Sequence, residues 1–314
     1  MNLDALAANI KSLDPTSPPA TSDAERDYFR FYGINFEENN DNITHHFGHI
    51  PCGRFDVVAH YYENKLAVET CFIVHGFYDH AGLYGNIIDY CLKRNFSVVI
   101  YDLPGHGLSS GEKASISSFN DYQIVLSNLL LFFKDKTPAP WCAIGQSTGS
   151  AILMDFLLSG GEKVFPKTVL LAPLVRPRGW STSKIFHSVA KLFLTHINRK
   201  YADNTSDQNF QDFIKEEDPL QARRLPLQWV AALKQWITHF ISAQPSPARP
   251  LIIQGAQDIT VDWQYNIPSI QQKFPKGRVF YLKKAKHHLA NEKENIRQSM
   301  FSAMDIYFDV YGGE

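Results

Sequence analysis

Residues 141–152 of the chain read WCAIGQSTGSAI. The first four form an apolar run of strand length, and the residues from Ser150 onward are typical of a buried helix. Between them lies GQSTG, in which Ser147 stands between two glycines that permit a tight turn and a projecting serine. So short a pattern also arises by chance as an ordinary glycine-rich turn. Its position between a strand and a helix is therefore what indicates a nucleophile.

Strands and helices alternate on both sides of this turn. Apolar runs typical of parallel strands covered on both faces occur at residues 70–74, 97–101, 141–144 and 168–172. They are separated by segments of helical length at residues 81–94, 119–133 and 147–158. Further strands are predicted at residues 43–50, 56–62, 250–253 and 278–282, and a terminal helix at residues 291–308. This order predicts a mostly parallel sheet of about eight strands flanked by helices.

The alternation stops between residues 174 and 249, where the pattern is helical with polar loops and shows no convincing strand. We therefore predict a helical cap at residues 174–249, inserted after the sixth strand of a core formed by residues 28–173 and 250–314. Residues 1–27 are predicted as a short helix followed by a loose lead-in. Ligands of open α/β sheets bind beyond the carboxyl ends of the strands, so functional residues should follow strands directly.

One segment of the predicted cap has the spacing of an amphipathic helix. Phe186, Val189, Ala190 and Phe193 recur on one helix face. We predict that Phe186, Val189 and Phe193 bind substrate by sheltering an acyl chain. The same face would suit a peripheral contact with a membrane surface. A face that only packs on the core is an alternative that the spacing leaves open.

The composition excludes several classes of protein. The 314 residues carry a formal net charge of −1, whereas a nucleic-acid-binding protein normally shows a basic excess, so no nucleic-acid partner is predicted. The four cysteines have neither CxxC pairs nor metal-ligand spacing, which favours buried, reduced thiols in a cytoplasmic protein. We find no secretory leader and no apolar stretch long enough for a membrane span, so a membrane would be met only from its surface.

A serine hydroxyl becomes a nucleophile when a base takes its proton and an acid orients that base. For a serine on a strand-to-helix turn of this kind, the order along the chain is serine, acid, histidine. His287 and His288 follow the last predicted strand, and either could be the base. Asp258 follows the strand at residues 250–253 and is the predicted acid. Asp262 is a second candidate that could instead cap the next helix.

The reaction also needs N–H donors for the negatively charged oxygen of its intermediate. One expected donor is the backbone N–H of Thr148, and the other is that of Phe77 in the loop after the strand at residues 70–74. We interpret Asp102 and His106, which follow the next strand, as structural residues of the adjoining loop. The glycines there lack dinucleotide-binding spacing, and no cofactor or metal is predicted.

Several of these motifs together resemble the monoacylglycerol lipase and lysophospholipase branch of the α/β-hydrolase fold. The matching parts are His75-Gly76 with His80 and Tyr84, residues 102–111, residues 145–149, residues 286–292, and Asp218-Pro219-Leu220 of the cap. The resemblance extends over roughly residues 28–307. It implies that His287, and not His288, is the base.

Three positions depart from that branch. It usually carries Glu at the position of Asp79, His at Gln146 and Gly at Ser150. None of these departures removes a member of the predicted triad.

The sequence thus predicts a carboxylic ester hydrolase with Ser147, Asp258 and His287 as its triad and with an acyl-serine intermediate. The resemblance implies a small-molecule substrate with a long acyl chain, either a lysophospholipid or a monoacylglycerol. A carboxylesterase or thioesterase for other acyl esters is an alternative. A non-catalytic ligand-binding protein of the same fold is a more remote one, because such proteins usually lack a triad residue.

Overall fold

Ten strands form in the part of the chain that the computed structural model describes, residues 2–180, 195–199 and 201–310. They are β1 (Ile43–Cys52), β2 (Phe55–Asn64), β3 (Glu69–Val74), β4 (Phe96–Tyr101), β5 (Trp141–Gln146), β6 (Lys167–Leu171), β7 (His196–Asn198), β8 (Arg224–Pro226), β9 (Leu251–Gly255) and β10 (Arg278–Leu282). Eight of them make one sheet in the order β1-β2-β4-β3-β5-β6-β9-β10. The predicted eight-stranded sheet is confirmed.

The sheet is mostly parallel, since only β2 runs against its neighbours β1 and β4. Successive residues of its central strands face opposite sides. Cys71 and Ile73 pack in one apolar layer, whereas Phe72 and Val74 pack in the other. Both faces of the sheet are therefore covered by apolar layers, as the apolar runs predict.

Helices supply both layers. Along the described chain they are α1 (Leu3–Asn9), α2 (Asp23–Tyr32), α3 (Gly85–Lys93), α4 (Asn120–Phe133), α5 (Thr148–Leu158), α6 (Gln208–Asp212), α7 (Leu227–Ser242), α8 (Trp263–Lys273) and α9 (Glu294–Val310). Buried residues of α4, α5, α7 and α8 join one layer, and those of α2, α3 and α9 join the other. None of the helices described here combines the length and apolar character needed to cross a bilayer.

The segment between β6 and β9 differs from the prediction in one respect. It contains two short strands, β7 and β8, which pair antiparallel as a separate ribbon, so the prediction of no strand there is wrong. Each has three residues, too few to leave an alternating pattern in the sequence. One face of α7 is apolar and buried through Trp229, Leu233, Trp236 and Phe240. The predicted face of Phe186, Val189, Ala190 and Phe193 lies outside the described residues.

The N-terminal segment is also more ordered than the loose lead-in predicted from its prolines. Ser22 and Glu25 form a capping box that starts α2. Farther upstream, Lys11 and Leu13 exchange backbone hydrogen bonds with His49 on the outer edge of β1. Gly48 is required there, because a side chain at that position would lie 2.5 Å from the Lys11 carbonyl. The first residues therefore cover an edge strand that would otherwise be open.

Candidate active site

The turn between β5 and α5 holds Ser147 in a strained backbone conformation, with φ 53° and ψ −106°. Its N–H donates to the Leu171 carbonyl at 2.8 Å, which ties the turn to β6. The close approach of the chain explains the glycines. A Cβ at Gly149 would lie 1.9 Å from the Val74 carbonyl oxygen, and one at Gly145 would lie 2.7 Å from the backbone of Gly149.

The structure brings Ser147, His287 and Asp258 together in one chain of hydrogen bonds. The distance from His287 Nε2 to Ser147 Oγ is 3.0 Å, and that from His287 Nδ1 to Asp258 Oδ2 is 2.7 Å. All three residues are buried, with 8% or less of each exposed. Each follows the carboxyl end of a strand, as expected for this kind of sheet.

Asp258 is held in its charged form. Burial acts to raise the pKa of its carboxyl group, but His287 and the backbone N–H groups of Thr260 and Val261 outweigh burial and lower that pKa. The two N–H groups donate to Oδ1 at 2.7 and 3.1 Å, whereas Oδ2 contacts the imidazole at 2.7 Å and also accepts from Gln254 Nε2 at 3.1 Å. The carboxylate can thus orient His287 and stabilise its protonated form.

Asp262, the second candidate acid, points elsewhere. Its Oδ2 pairs with Arg176 Nη2 at 2.7 Å and with Nε at 2.9 Å. The structure therefore brings Asp258, and not Asp262, to His287.

The predicted oxyanion donors, Phe77 and Thr148, both line the cavity beside Ser147. Among the described residues, neither backbone N–H has an acceptor. The Phe77 ring is fixed by stacking on Trp229, with 3.8 Å between ring centroids. Both N–H groups are thus available to a ligand oxygen.

A neutral histidine holds the loop that carries Phe77 in place through hydrogen bonds. Burial lowers the pKa of His75 to about 3, so its ring stays uncharged. Its Nδ1 donates to the Gly76 carbonyl at 2.7 Å, and its Nε2 accepts from the Leu103 N–H at 2.8 Å. Tyr84 adds a third tie, because its hydroxyl accepts from the Gly76 N–H.

Asp102 makes contacts that fit the structural role predicted for it. Its carboxylate oxygens accept the N–H groups of Ala81 at 2.7 Å and Leu108 at 2.8 Å. His106 is buried beside it, with Nδ1 2.9 Å from the Pro104 carbonyl. These contacts fix the loops next to the turn of Ser147.

Three features of the site have no counterpart in the sequence prediction. Gln146 donates from Nε2 to the backbone carbonyl of His287. Asp79 accepts from the Tyr84 hydroxyl, and its Oδ2 is 3.2 Å from Nε2 of His288. Arg199, which follows β7, also lines the cavity. The sequence marks Gln146 and Asp79 only as departures from the related branch. Their contacts with His287 and His288 join positions that are far apart along the chain, and the sequence did not mark Arg199 at all.

The cavity beside Ser147 has a volume of about 410 Å³. Apolar side chains form much of its wall, including Leu174, Pro177, Ile197, Ile214, Leu225, Trp229 and Val261. Polar and charged residues also line it, among them Ser147, Asp79, Arg199 and His288. Phe186, Val189 and Phe193, predicted to bind substrate, lie outside the described residues.

Comparison with known proteins gives three kinds of match. The profile of the hydrolase family described as serine aminopeptidase, S33, matches residues 67–294. Human monoglyceride lipase is 27% identical over 248 residues, which are 75% of this chain and 80% of that protein. A monoglyceride lipase homolog of monkeypox virus is 22% identical over 244 residues, covering 75% of this chain and 87% of the viral protein.

Solved structures show the same fold. A soluble variant of monoglyceride lipase from Saccharomyces cerevisiae has a TM-score of 0.69 at 16% identity, covering 83% of this chain and 94% of the yeast one. The monoacylglycerol lipase of Paleococcus ferrophilus has a TM-score of 0.63 at 17% identity, covering 75% of this chain and 91% of its own. The predicted α/β-hydrolase fold is confirmed.

Proposed function

The chain belongs to the serine aminopeptidase S33 family of hydrolases, and on this premise we propose that it hydrolyses carboxylic esters of long-chain acyl lipids. The observation that carries the proposal is the hydrogen-bonded chain from Ser147 through His287 to Asp258, with distances of 3.0 and 2.7 Å. A nucleophile, a base and an orienting acid in this arrangement are the parts that acyl transfer requires.

In the proposed reaction, Ser147 Oγ attacks the ester carbonyl carbon while its proton passes to His287 Nε2. The N–H groups of Phe77 and Thr148 donate to the oxygen that becomes negative. His287 then gives the proton to the departing alcohol, which leaves an acyl ester on Ser147. Water attacks that ester with His287 again as the base, and release of the fatty acid restores the serine.

Two observations favour a lipid ester over a small one. The cavity wall is largely apolar, which suits an acyl chain more than a polar substituent. Relatives from human and monkeypox virus are named monoglyceride lipase or its homolog. We therefore propose a substrate with one long acyl chain, either a monoacylglycerol or a lysophospholipid. A peripheral membrane contact through the cap remains a prediction that goes with this substrate.

A fluorophosphonate probe combined with a chain-length series tests the proposal. The wild-type chain should react covalently at Ser147 and should release fatty acid faster from long-chain esters than from acetyl or butyryl esters. Ser147→Ala should lose the label and lower turnover by roughly 10⁴-fold or more. An unlabelled wild type would contradict the acyl-serine mechanism. A preference for short esters would contradict the lipid substrate alone.

A further inference from the structure

Arg199 places a fixed cation in the wall of the cavity that contains Ser147. Its backbone N–H donates to the Arg223 carbonyl at 3.1 Å, which anchors it at the end of the β7–β8 ribbon. Its Nη1 donates to Gln221 Oε1 at 2.5 Å and to the Ala222 carbonyl at 3.2 Å. The protein therefore engages Nη1 with two acceptors.

Aromatic rings hold the same group in orientation. The guanidinium carbon lies 4.0 Å from the ring centroid of Tyr78 and 4.5 Å from that of Tyr201. Tyr78 adopts a φ of 72°, an uncommon value for a non-glycine residue. Its strained backbone directly follows Phe77, so the loop with a predicted oxyanion donor also contacts Arg199.

Among the described residues, the charge of Arg199 has no carboxylate partner. Within the described ranges no Asp or Glu oxygen lies within 4.0 Å of it, and neither Nε nor Nη2 donates to a protein atom.

The nearby carboxylates have other partners. Asp79 is engaged by Tyr84 and His288, and Asp218 is engaged by His80, Tyr32 and Gln221. In the part of the chain that the structure describes, two nitrogens of this charged group are therefore without a protein acceptor and can bind a ligand.

We infer that Arg199 binds the phosphate group of a lysophospholipid while its ester lies at Ser147. A guanidinium group presents N–H groups in a planar fork that matches phosphate oxygens, and a partly buried setting strengthens that pairing. The glycerol of a monoacylglycerol offers no anion to this group. The inference rests on the proposed function and deepens it, because it selects the head group.

The test compares a lysophosphatidylcholine with a monoacylglycerol of the same acyl chain. Arg199→Gln should lower the ratio of kcat/KM for the lysophospholipid to that for the monoacylglycerol by roughly tenfold or more. Arg199→Lys keeps a charge but loses the fork, and should fall between the wild type and Arg199→Gln. The control is Arg224→Gln, which removes an exposed arginine of the same ribbon that does not line the cavity. It should keep the wild-type ratio.

Other outcomes overturn the inference. An equal loss on both substrates in Arg199→Gln would make Arg199 a structural residue, and an unchanged ratio would remove it from substrate binding. Inorganic phosphate at millimolar concentration should not slow hydrolysis of a neutral ester. If it does so in the wild type but not in Arg199→Gln, the site binds a free anion instead of a head group.

A failure of the proposed function would look different. In that case the wild type would release no fatty acid from either lipid. The head group can then still be tested, because lysophosphatidylcholine should slow fluorophosphonate labelling of Ser147 in the wild type and not in Arg199→Gln. No protection in the wild type would overturn the inference as well.

Discussion

Gln146 donates a hydrogen bond from Nε2 to the backbone carbonyl of His287 at a distance of 2.9 Å. Because Gln146 directly precedes Ser147, one side chain joins the strand that carries the proposed nucleophile to the loop that carries the proposed base. Both ends of this contact are buried. The position of His287 therefore depends on an amide outside the triad.

Gln146→Leu should lower kcat by about tenfold and change KM less. The substitution keeps a side chain of similar size but removes one of the two hydrogen bonds that the buried His287 carbonyl accepts. The other comes from the Leu289 N–H at 3.0 Å, so the expected loss is about 1–1.5 kcal/mol, which loosens the base. Steady-state kinetics with a soluble ester provide the measurement. Gln123→Leu is the matched control, because it removes a bond of the same kind to the Ile152 carbonyl. Equal kcat losses in both variants would contradict a specific role of Gln146 in positioning His287.

Substitutions of the two aspartates that follow β9 should differ sharply in their effect on activity. Asp258→Asn should lower kcat by about 10⁴-fold, because an amide no longer fixes the tautomer of His287 or stabilises its cation. Asp262→Asn breaks the pair with Arg176 and should keep most of the activity. Both variants should retain the wild-type circular dichroism spectrum. Comparable activity losses would mean that the acid has been assigned to the wrong residue.

The strands and the position of Ser147 were predictable for local reasons. Parallel strands covered on both faces leave apolar runs, and the tight approach at Gly145 and Gly149 leaves two glycines around the serine. Asp258 and His287 could be found because each closely follows a strand. The choice of His287 over His288 came from the resemblance, and the structure places His287 next to Ser147.

Other features could not be predicted because their causes are distant along the chain. Gln146 and its partner are separated by 141 residues. The β7–β8 ribbon has three residues per strand and is held by pairing, without an apolar pattern of its own. Arg199 is an ordinary charged residue in the sequence, and only the fold places it beside Tyr78 in the cavity wall.

Because the backbone is closely packed behind Ser147, we predict that alanine substitutions at two glycines differ strongly in their effect on stability. Gly149→Ala would put a methyl group 1.9 Å from the Val74 carbonyl oxygen, so the strand or the turn must move. We expect a loss of about 3 kcal/mol in the free energy of unfolding, measured by urea denaturation.

The control for this packing prediction is Gly85→Ala. It lies in α3, where the new methyl group would be 3.6 Å from its nearest neighbours. It should be neutral or stabilising by up to about 1 kcal/mol, because alanine favours helix. Equal stability of Gly149→Ala and the wild type would contradict the prediction, because it would mean that the turn accommodates a methyl group without a steric clash.

Buried neutral histidines predict a loss of stability in mild acid. Burial lowers the pKa of His75 to about 3 and that of His106 to about 4, whereas in the unfolded chain both should titrate near 6.5. Between these values the unfolded chain binds more protons, so the free energy of unfolding must fall as the pH falls. Each histidine should contribute its full stability above about pH 6.5 and lose about 1.4 kcal/mol per pH unit below it.

Urea denaturation from about pH 7 to about pH 5 measures this slope. His106→Phe replaces the titrating ring by an apolar one and should reduce the slope by the contribution of one proton. A slope unchanged in His106→Phe would mean that other groups cause the acid sensitivity.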